Sequence, residues 1–106
     1  MITVEIRKSG DSYSGFSSKG HAGYAEEGYD IICSAVTALT VNTINSIEQF
    51  TDDAFKAEAA DGMVRWKFTE LPISNEAKLL MDSLILGLEY IQEFYGKKYI
   101  KIVKKA

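Results

Sequence analysis

Phe55-Lys56-Ala57-Glu58-Ala59-Ala60-Asp61-Gly62-Met63-Val64-Arg65-Trp66-Lys67-Phe68 is the most legible stretch of this chain. Asp61-Gly62 is a two-residue hairpin signal, because glycine accepts the positive φ that such turns require. Folding about it pairs Ala59 with Val64, Ala57 with Trp66 and Phe55 with Phe68 on one face. On the other face Glu58 meets Arg65, an opposite-charge pair, and Lys56 meets Lys67, a mildly unfavourable and solvated one. A slip of one residue would scatter the apolar set across both faces. An antiparallel hairpin with one apolar face needs a second layer to cover it.

Both flanks supply a helix. Downstream, Pro72 interrupts the chain, and Ser74 or Asn75 caps a helix reaching about Tyr95. Ala77, Leu80, Leu84, Leu88, Ile91 and Tyr95 fall at helical spacing, and Gly96 suits the position just past the end. Tyr99 to Val103 then reads as a last strand, with Lys104 and Lys105 fraying. Upstream, Asp30 precedes an apolar run from Ile31 to about Phe50, and a carboxylate there accepts from the open N–H groups of a first helical turn. Ile31 to Leu39 has almost no polar side, which predicts a central, buried helix.

Residues 2–7 alternate as a strand, with Ile2, Val4 and Ile6 on one side. A second, weaker strand follows over about 12–19, diluted by Gly and Ser. Residues 20–30 have no period, three glycines and the adjacent Glu26 and Glu27, which predicts a mobile loop. The order is β-β-α-β-β-α-β: an α+β domain over residues 1–106, with an antiparallel sheet and two long helices against it.

Hydrophobic residues make up 46% of the 106 and charged residues 25%, which excludes disorder for the bulk of the chain. One cysteine excludes an intrachain disulfide, and one histidine excludes a Cys/His zinc site within a single chain. No cofactor is expected. The net charge of −3 argues against a general nucleic-acid binder. The alternating start is no signal peptide, and no apolar stretch is read as reaching the roughly 18 residues that span a bilayer. A cytoplasmic address without membrane contact is the expectation.

The chemistry-bearing candidates lie around the 20–33 segment. Cys33 is the third helical residue after Asp30, where free N–H groups and the positive end of the helix dipole favour a thiolate. His21 lies twelve residues earlier, across the loop, and thiol plus imidazole is the minimum for a cysteine nucleophile with its base. By spacing alone a buried, inert cysteine is the commoner outcome. Thr37 is one turn beyond Cys33, so its hydroxyl either reaches toward the thiol or bonds back to a carbonyl. Tyr24 and Tyr29 either wall the loop or pack it down. Glu26, Glu27, Asp30, Glu48, Asp52 and Asp53 fall between Gly20 and Phe55 with no Lys or Arg among them. They oppose the helix dipole at the thiol and support an imidazolium at His21. Such an acidic stretch is either solvated surface or an attractor for a basic substrate. The five lysines from Lys97 to Lys105 read as a solvated strand face and tail.

The stretch Gly20-His21-Ala22-Gly23…Gly28-Tyr29-Asp30-Ile31-Ile32-Cys33-Ser34-Ala35 resembles the ribosomal-processing cysteine protease family, Prp. That family carries Gly-His-Ala, a short Gly-containing loop, then Asp-Ile-Val-Cys-Ala-Ala at a helix start. Ile32 and Ser34 stand where Val and Ala are usual. Chain length and strand order also match. The resemblance implies a bacterial cysteine endopeptidase that removes a short N-terminal extension from ribosomal protein L twenty-seven. It implies Cys33 as nucleophile and His21 as general base, with Thr37 in support. It places Asp30 first as the cap and second as an orienter of His21. It also implies a homodimer whose His–Cys loop is mobile until substrate binds. The rival from another class is a non-enzymatic ribosome-assembly module, in which Cys33 is buried and His21 is only loop surface.

Overall fold

The computed structural model describes residues 1–23, 25 and 30–106. Tyr24, Glu26, Glu27 and Tyr29, and with them the expected mobility of the 20–30 loop, lie outside the described residues. The elements are β1 (Ile2–Ser9), β2 (Ser12–Lys19), α1 (Ile31–Phe50), β3 (Phe55–Ala60), β4 (Met63–Phe68), α2 (Asn75–Tyr95) and β5 (Ile100–Lys105), an α+β domain in the expected order. They form one five-stranded sheet in the order β3-β4-β2-β1-β5.

The β3–β4 hairpin has the register read from its sequence, with Ala59 opposite Val64, Ala57 opposite Trp66 and Phe55 opposite Phe68. The Glu58 carboxylate accepts twice from one Arg65 guanidinium nitrogen, at 2.9 and 2.8 Å. Trp66 stacks on Phe16 of β2 at 4.5 Å between ring centroids, and both are buried.

The sheet is mixed rather than antiparallel throughout. β1 and β5 pair in parallel, from Ile2 with Ile100 to Arg7 with Lys105. The cause is α2. A crossover helix of 21 residues, about 31 Å long at 1.5 Å per residue, carries the chain back over the sheet. β5 therefore enters in the same direction as β4, and hence as β1. That pairing also keeps Lys104 and Lys105 in the strand instead of frayed.

The caps are as expected. Asp30 Oδ1 accepts from the N–H groups of Ile32 and Cys33, each at 3.0 Å. Ser74 Oγ accepts from Ala77 N–H at 3.0 Å, and Ser74 is tied in turn to the Asp53 carboxylate, whose Oδ2 accepts from Ser74 N–H at 2.8 Å. The start of α2 is thus fastened to the segment that leaves α1. Tyr13 of β2 donates to the Asp82 carboxylate of α2, a second tie across the layers.

α1 is not buried on all sides. Its inner face is Ile32, Val36, Thr40, Thr43 and Ile47, while Ile31, Val41 and Phe50 are exposed. Thr40 and Thr43 belong to the core because their hydroxyls donate back to the carbonyls of Thr37 (3.1 Å) and Leu39 (2.7 Å), which removes the penalty of burying them. By length and composition α1 is also apolar enough to cross a membrane, contrary to the reading of its sequence. Its inner face belongs instead to the core between sheet and α2. The two helices approach closely at Gly87, where an added Cβ would lie 3.0 Å from Leu39 Cδ1.

Candidate active site

A cleft of about 1100 Å³ opens between the N-terminal half of α1 and the β3–β4 turn, with Ile2 and Ser18 among its lining residues. Cys33, His21, Asp30 and Thr37 all line it. The fold therefore brings together the four residues singled out from sequence, although their chemical situations differ.

Cys33 is half-buried and reduced. Its Sγ accepts a hydrogen bond from the backbone N–H of Ala22 at 3.1 Å, which fixes the segment after β2 over the start of α1. Burial pushes the thiol above its ordinary pKa, the Ala22 N–H pulls it partly back, and the Asp30 carboxylate adds to the rise. The rise goes with the opposing effect of a nearby carboxylate, burial leading, rather than with the lowering that a helix start would give. The N–H groups that would have done so are already occupied: Ile32 and Cys33 donate to Asp30 Oδ1, and Ser34 N–H donates to the Asp30 carbonyl at 3.1 Å. The same bonds occupy the N–H groups of Cys33 and Ser34 at rest.

His21 is exposed, and its imidazole leans over Gly62 at the β3–β4 turn. A Cβ on Gly62 would lie 2.9 Å from His21 Nε2, and Gly62 has a φ of +70°. The turn that organises the hairpin thus leaves the space the imidazole occupies. Among the described residues no hydrogen bond joins imidazole to thiol. Asp30 is 6% exposed, and capping is the role its geometry gives it. The Thr37 hydroxyl makes neither of its two expected hydrogen bonds among the described residues.

The acidic stretch is not one surface. Glu48 lies fifteen residues beyond Cys33 on α1, about 22 Å along the helix, and Asp53 is engaged by Ser74. Only Asp30 of the six is placed at the cleft, while Glu26 and Glu27 lie outside the described residues.

Sequence reasoning missed one side of the cleft. Thr37, Ala38, Val41, Asn42 and Asn45 continue from Cys33 and Ser34 as a stripe along α1. The signal is their one-turn spacing of small and amide side chains, hidden by reading the run only for apolarity.

The family model for the cysteine protease Prp matches residues 1–101. The chain belongs to the Prp family. A Prp from Bacillus subtilis, named a ribosomal processing cysteine protease, is 30% identical over 101 residues, with 90% of each chain covered. The crystal structure of the Staphylococcus aureus Prp with a covalently linked product peptide superposes with a TM-score of 0.91 at 26% identity. It covers 99% of this chain and 100% of that one. A second structure of that Prp, with a substrate peptide, gives 0.85 at 25% identity over 99% of this chain and 100% of the other. The α+β fold with its mixed sheet is thus the fold of the Prp proteases.

Proposed function

We propose that this chain is a cysteine endopeptidase that removes the N-terminal extension of a large-subunit ribosomal protein, L twenty-seven, in the cytoplasm of a bacterium. The observation that carries the proposal is the half-buried Cys33 thiol, held by the Ala22 N–H in a cleft that His21 also lines. An inert structural cysteine has no need of a cleft, which disfavours the assembly-module reading.

The chemistry is acyl transfer. Because burial and Asp30 keep the resting thiol protonated, it needs a base at the moment of attack. His21 takes the proton as Sγ bonds to the scissile carbonyl carbon. Its imidazolium then protonates the leaving amine, the C–N bond breaks, and Cys33 holds the acyl group as a thioester. Water, deprotonated by His21, releases the acid and restores the thiol. The imidazole reaches the thiol by swinging from its place over Gly62, a movement that substrate entering the cleft drives. Asp30 supports the dyad by fixing the first turn of α1, and Thr37 supports it from the cleft wall.

The stripe from Cys33 to Asn45 is about 18 Å long at 1.5 Å per residue, room for about five extended residues at 3.4 Å each. Asn42 and Asn45 offer amide donors and acceptors to such a peptide backbone. The homodimer has a ready surface. Leu79, Leu86, Tyr90 and Phe94 form an exposed apolar stripe on α2, each at least 66% exposed, and a patch of that kind marks an association site.

The test is incubation with a peptide spanning the extension junction, read by mass spectrometry. One cut, absent with Cys33→Ala and absent after thiol alkylation, supports the proposal. A cut that survives both removes it.

A further inference from the structure

The helices cover one face of the sheet, and the other face has a charge opposite to that of the molecule. β1 sends Ile2, Val4 and Ile6 into the core and Thr3, Glu5 and Arg7 outward. The registers carry that outward row across all five strands. Thr3 stands beside Lys19 and Lys101, Glu5 beside Ser17 and Val103, and Arg7 beside Gly15 and Lys105. Next come Arg65 and Lys67 of β4, opposite Ser17 and Gly15, and then Glu58 and Lys56 of β3. Seven of the chain's 12 Lys and Arg residues are here, with two of its 15 Asp and Glu residues. A protein of net charge −3 thus presents a net side-chain charge of +5 on one sheet face. The face is open: Arg7 is 59%, Arg65 58% and Lys105 52% exposed at the side chain.

The shape suits an elongated anion. Small residues of β2, Gly15 and Ser17, lie among the lining of a trough of about 610 Å³, with Arg7 on one bank and Arg65, Lys67 and Lys56 on the other. Its banks, β1 and β4, are two strand spacings apart, about 10 Å. Glu5 steadies Arg7 at 2.7 Å and Lys105 at 3.2 Å, and Glu58 steadies Arg65. Lys19, Lys56, Lys67 and Lys101 have no ion pair among the described residues. Lys56 and Lys67 stand directly opposite each other, an arrangement that costs stability unless an anion lies over it.

We infer that this open sheet face docks the phosphate backbone of folded RNA. Charge complementarity carries the inference. The choice of RNA over another polyanion rests on the proposed ribosomal substrate, since a ribosomal protein has RNA as its neighbour. Backbone rather than base recognition follows from the side chains present. The aromatic residues of β2 and β4, Phe16 and Trp66, point into the core, so among the described residues the face has no stacking platform for single-stranded bases and reads phosphate without sequence. The overall negative charge conceals this surface, because a sum over the chain is blind to the alternation that sorts charges between faces.

The test is fluorescence anisotropy of the full chain with a labelled RNA duplex of about 16 base pairs, over a salt series. Two triple variants have the same net charge: Lys56→Glu/Lys67→Glu/Lys101→Glu on the face, and Lys97→Glu/Lys98→Glu/Lys104→Glu off it. Circular dichroism checks that both fold, independently of activity. The unmodified chain binds with an affinity that falls steeply with salt. The on-face variant binds about tenfold or more weakly with a shallower salt slope, and the off-face variant stays within about threefold. Both cleave an isolated junction peptide at the unmodified rate, so loss of docking is read separately from loss of protease activity. No RNA binding at about 50 mM salt, equal loss in the two variants, or equally tight binding of polyglutamate overturns the inference.

Discussion

The Ala22 N–H donates to Cys33 Sγ at 3.1 Å, and the residue before Ala22 is His21. One backbone hydrogen bond therefore ties the segment bearing the only imidazole to the only thiol, across the eleven residues between them in sequence. The bond favours the thiolate, since an N–H stabilises charge on sulfur, and it opposes the larger effect of burial at Cys33. At rest the thiol is thus shifted toward its protonated form, and the backbone next to His21 is fastened to it.

Asp30→Asn separates the two roles of that carboxylate. An amide oxygen still caps α1, but the negative charge that raises the Cys33 thiol is gone. Alkylation of Cys33 followed against pH should therefore show its midpoint move down. An unmoved or raised midpoint contradicts the assigned electrostatics. Asp30→Ala should also cost about 1 kcal/mol of stability through the lost cap, measured by urea unfolding.

His21→Ala should lower turnover of a junction peptide about a hundred- to ten-thousandfold, the scale of a lost general base, while leaving the fold intact. Unchanged turnover removes His21 from the mechanism.

Gly62→Ala acts on the same residue at a distance in sequence. Alanine at φ +70°, with a Cβ that meets His21 Nε2 at 2.9 Å, strains the turn and displaces the imidazole. A stability loss of about 1–2 kcal/mol, together with slower turnover, is the expected pair. A variant as stable and active as the unmodified chain shows that Gly62 does not seat His21.

Acid should unfold the protein through two aspartates. At Asp53, burial raises the carboxyl's pKa but bonds from Ser74 outweigh it, and at Asp82 the Tyr13 bond leads, so both lie below the ordinary 3.8. A carboxyl lowered in the folded state stabilises it above its unfolded pKa, and that stability is lost as pH falls through the folded value. Urea midpoints should hold above about pH 4 and drop below it. Asp53→Asn should weaken that drop, and a drop of full size would exclude Asp53 as a source.

Legibility in the sequence followed the range of the interactions. The hairpin register was readable because the Asp61-Gly62 turn and the period-2 pattern agree within fourteen residues. Both helix caps were readable because capping is local. The parallel β1–β5 pair was not, since it depends on where a 21-residue crossover delivers the chain. Thr40 and Thr43 disguised the inner face of α1, because their back-bonds are invisible in a hydropathy pattern. At the site, the four residues read from spacing and resemblance, Cys33, His21, Asp30 and Thr37, all line one cleft. The occupied N–H groups at the start of α1, the Gly62 seat and the Asn42–Asn45 wall required three-dimensional placement.

The most direct test is the mass of the intermediate that the mechanism demands. The chain is mixed with the full ribosomal protein bearing its extension, quenched in acid within the first turnover, and weighed intact. The account predicts an added mass equal to the released N-terminal segment less one water, the acyl group of a thioester at Cys33, its decay at later quench times, and no such species with Cys33→Ala. Cleavage that proceeds with no adduct on Cys33, or at the same rate in Cys33→Ala, would contradict it.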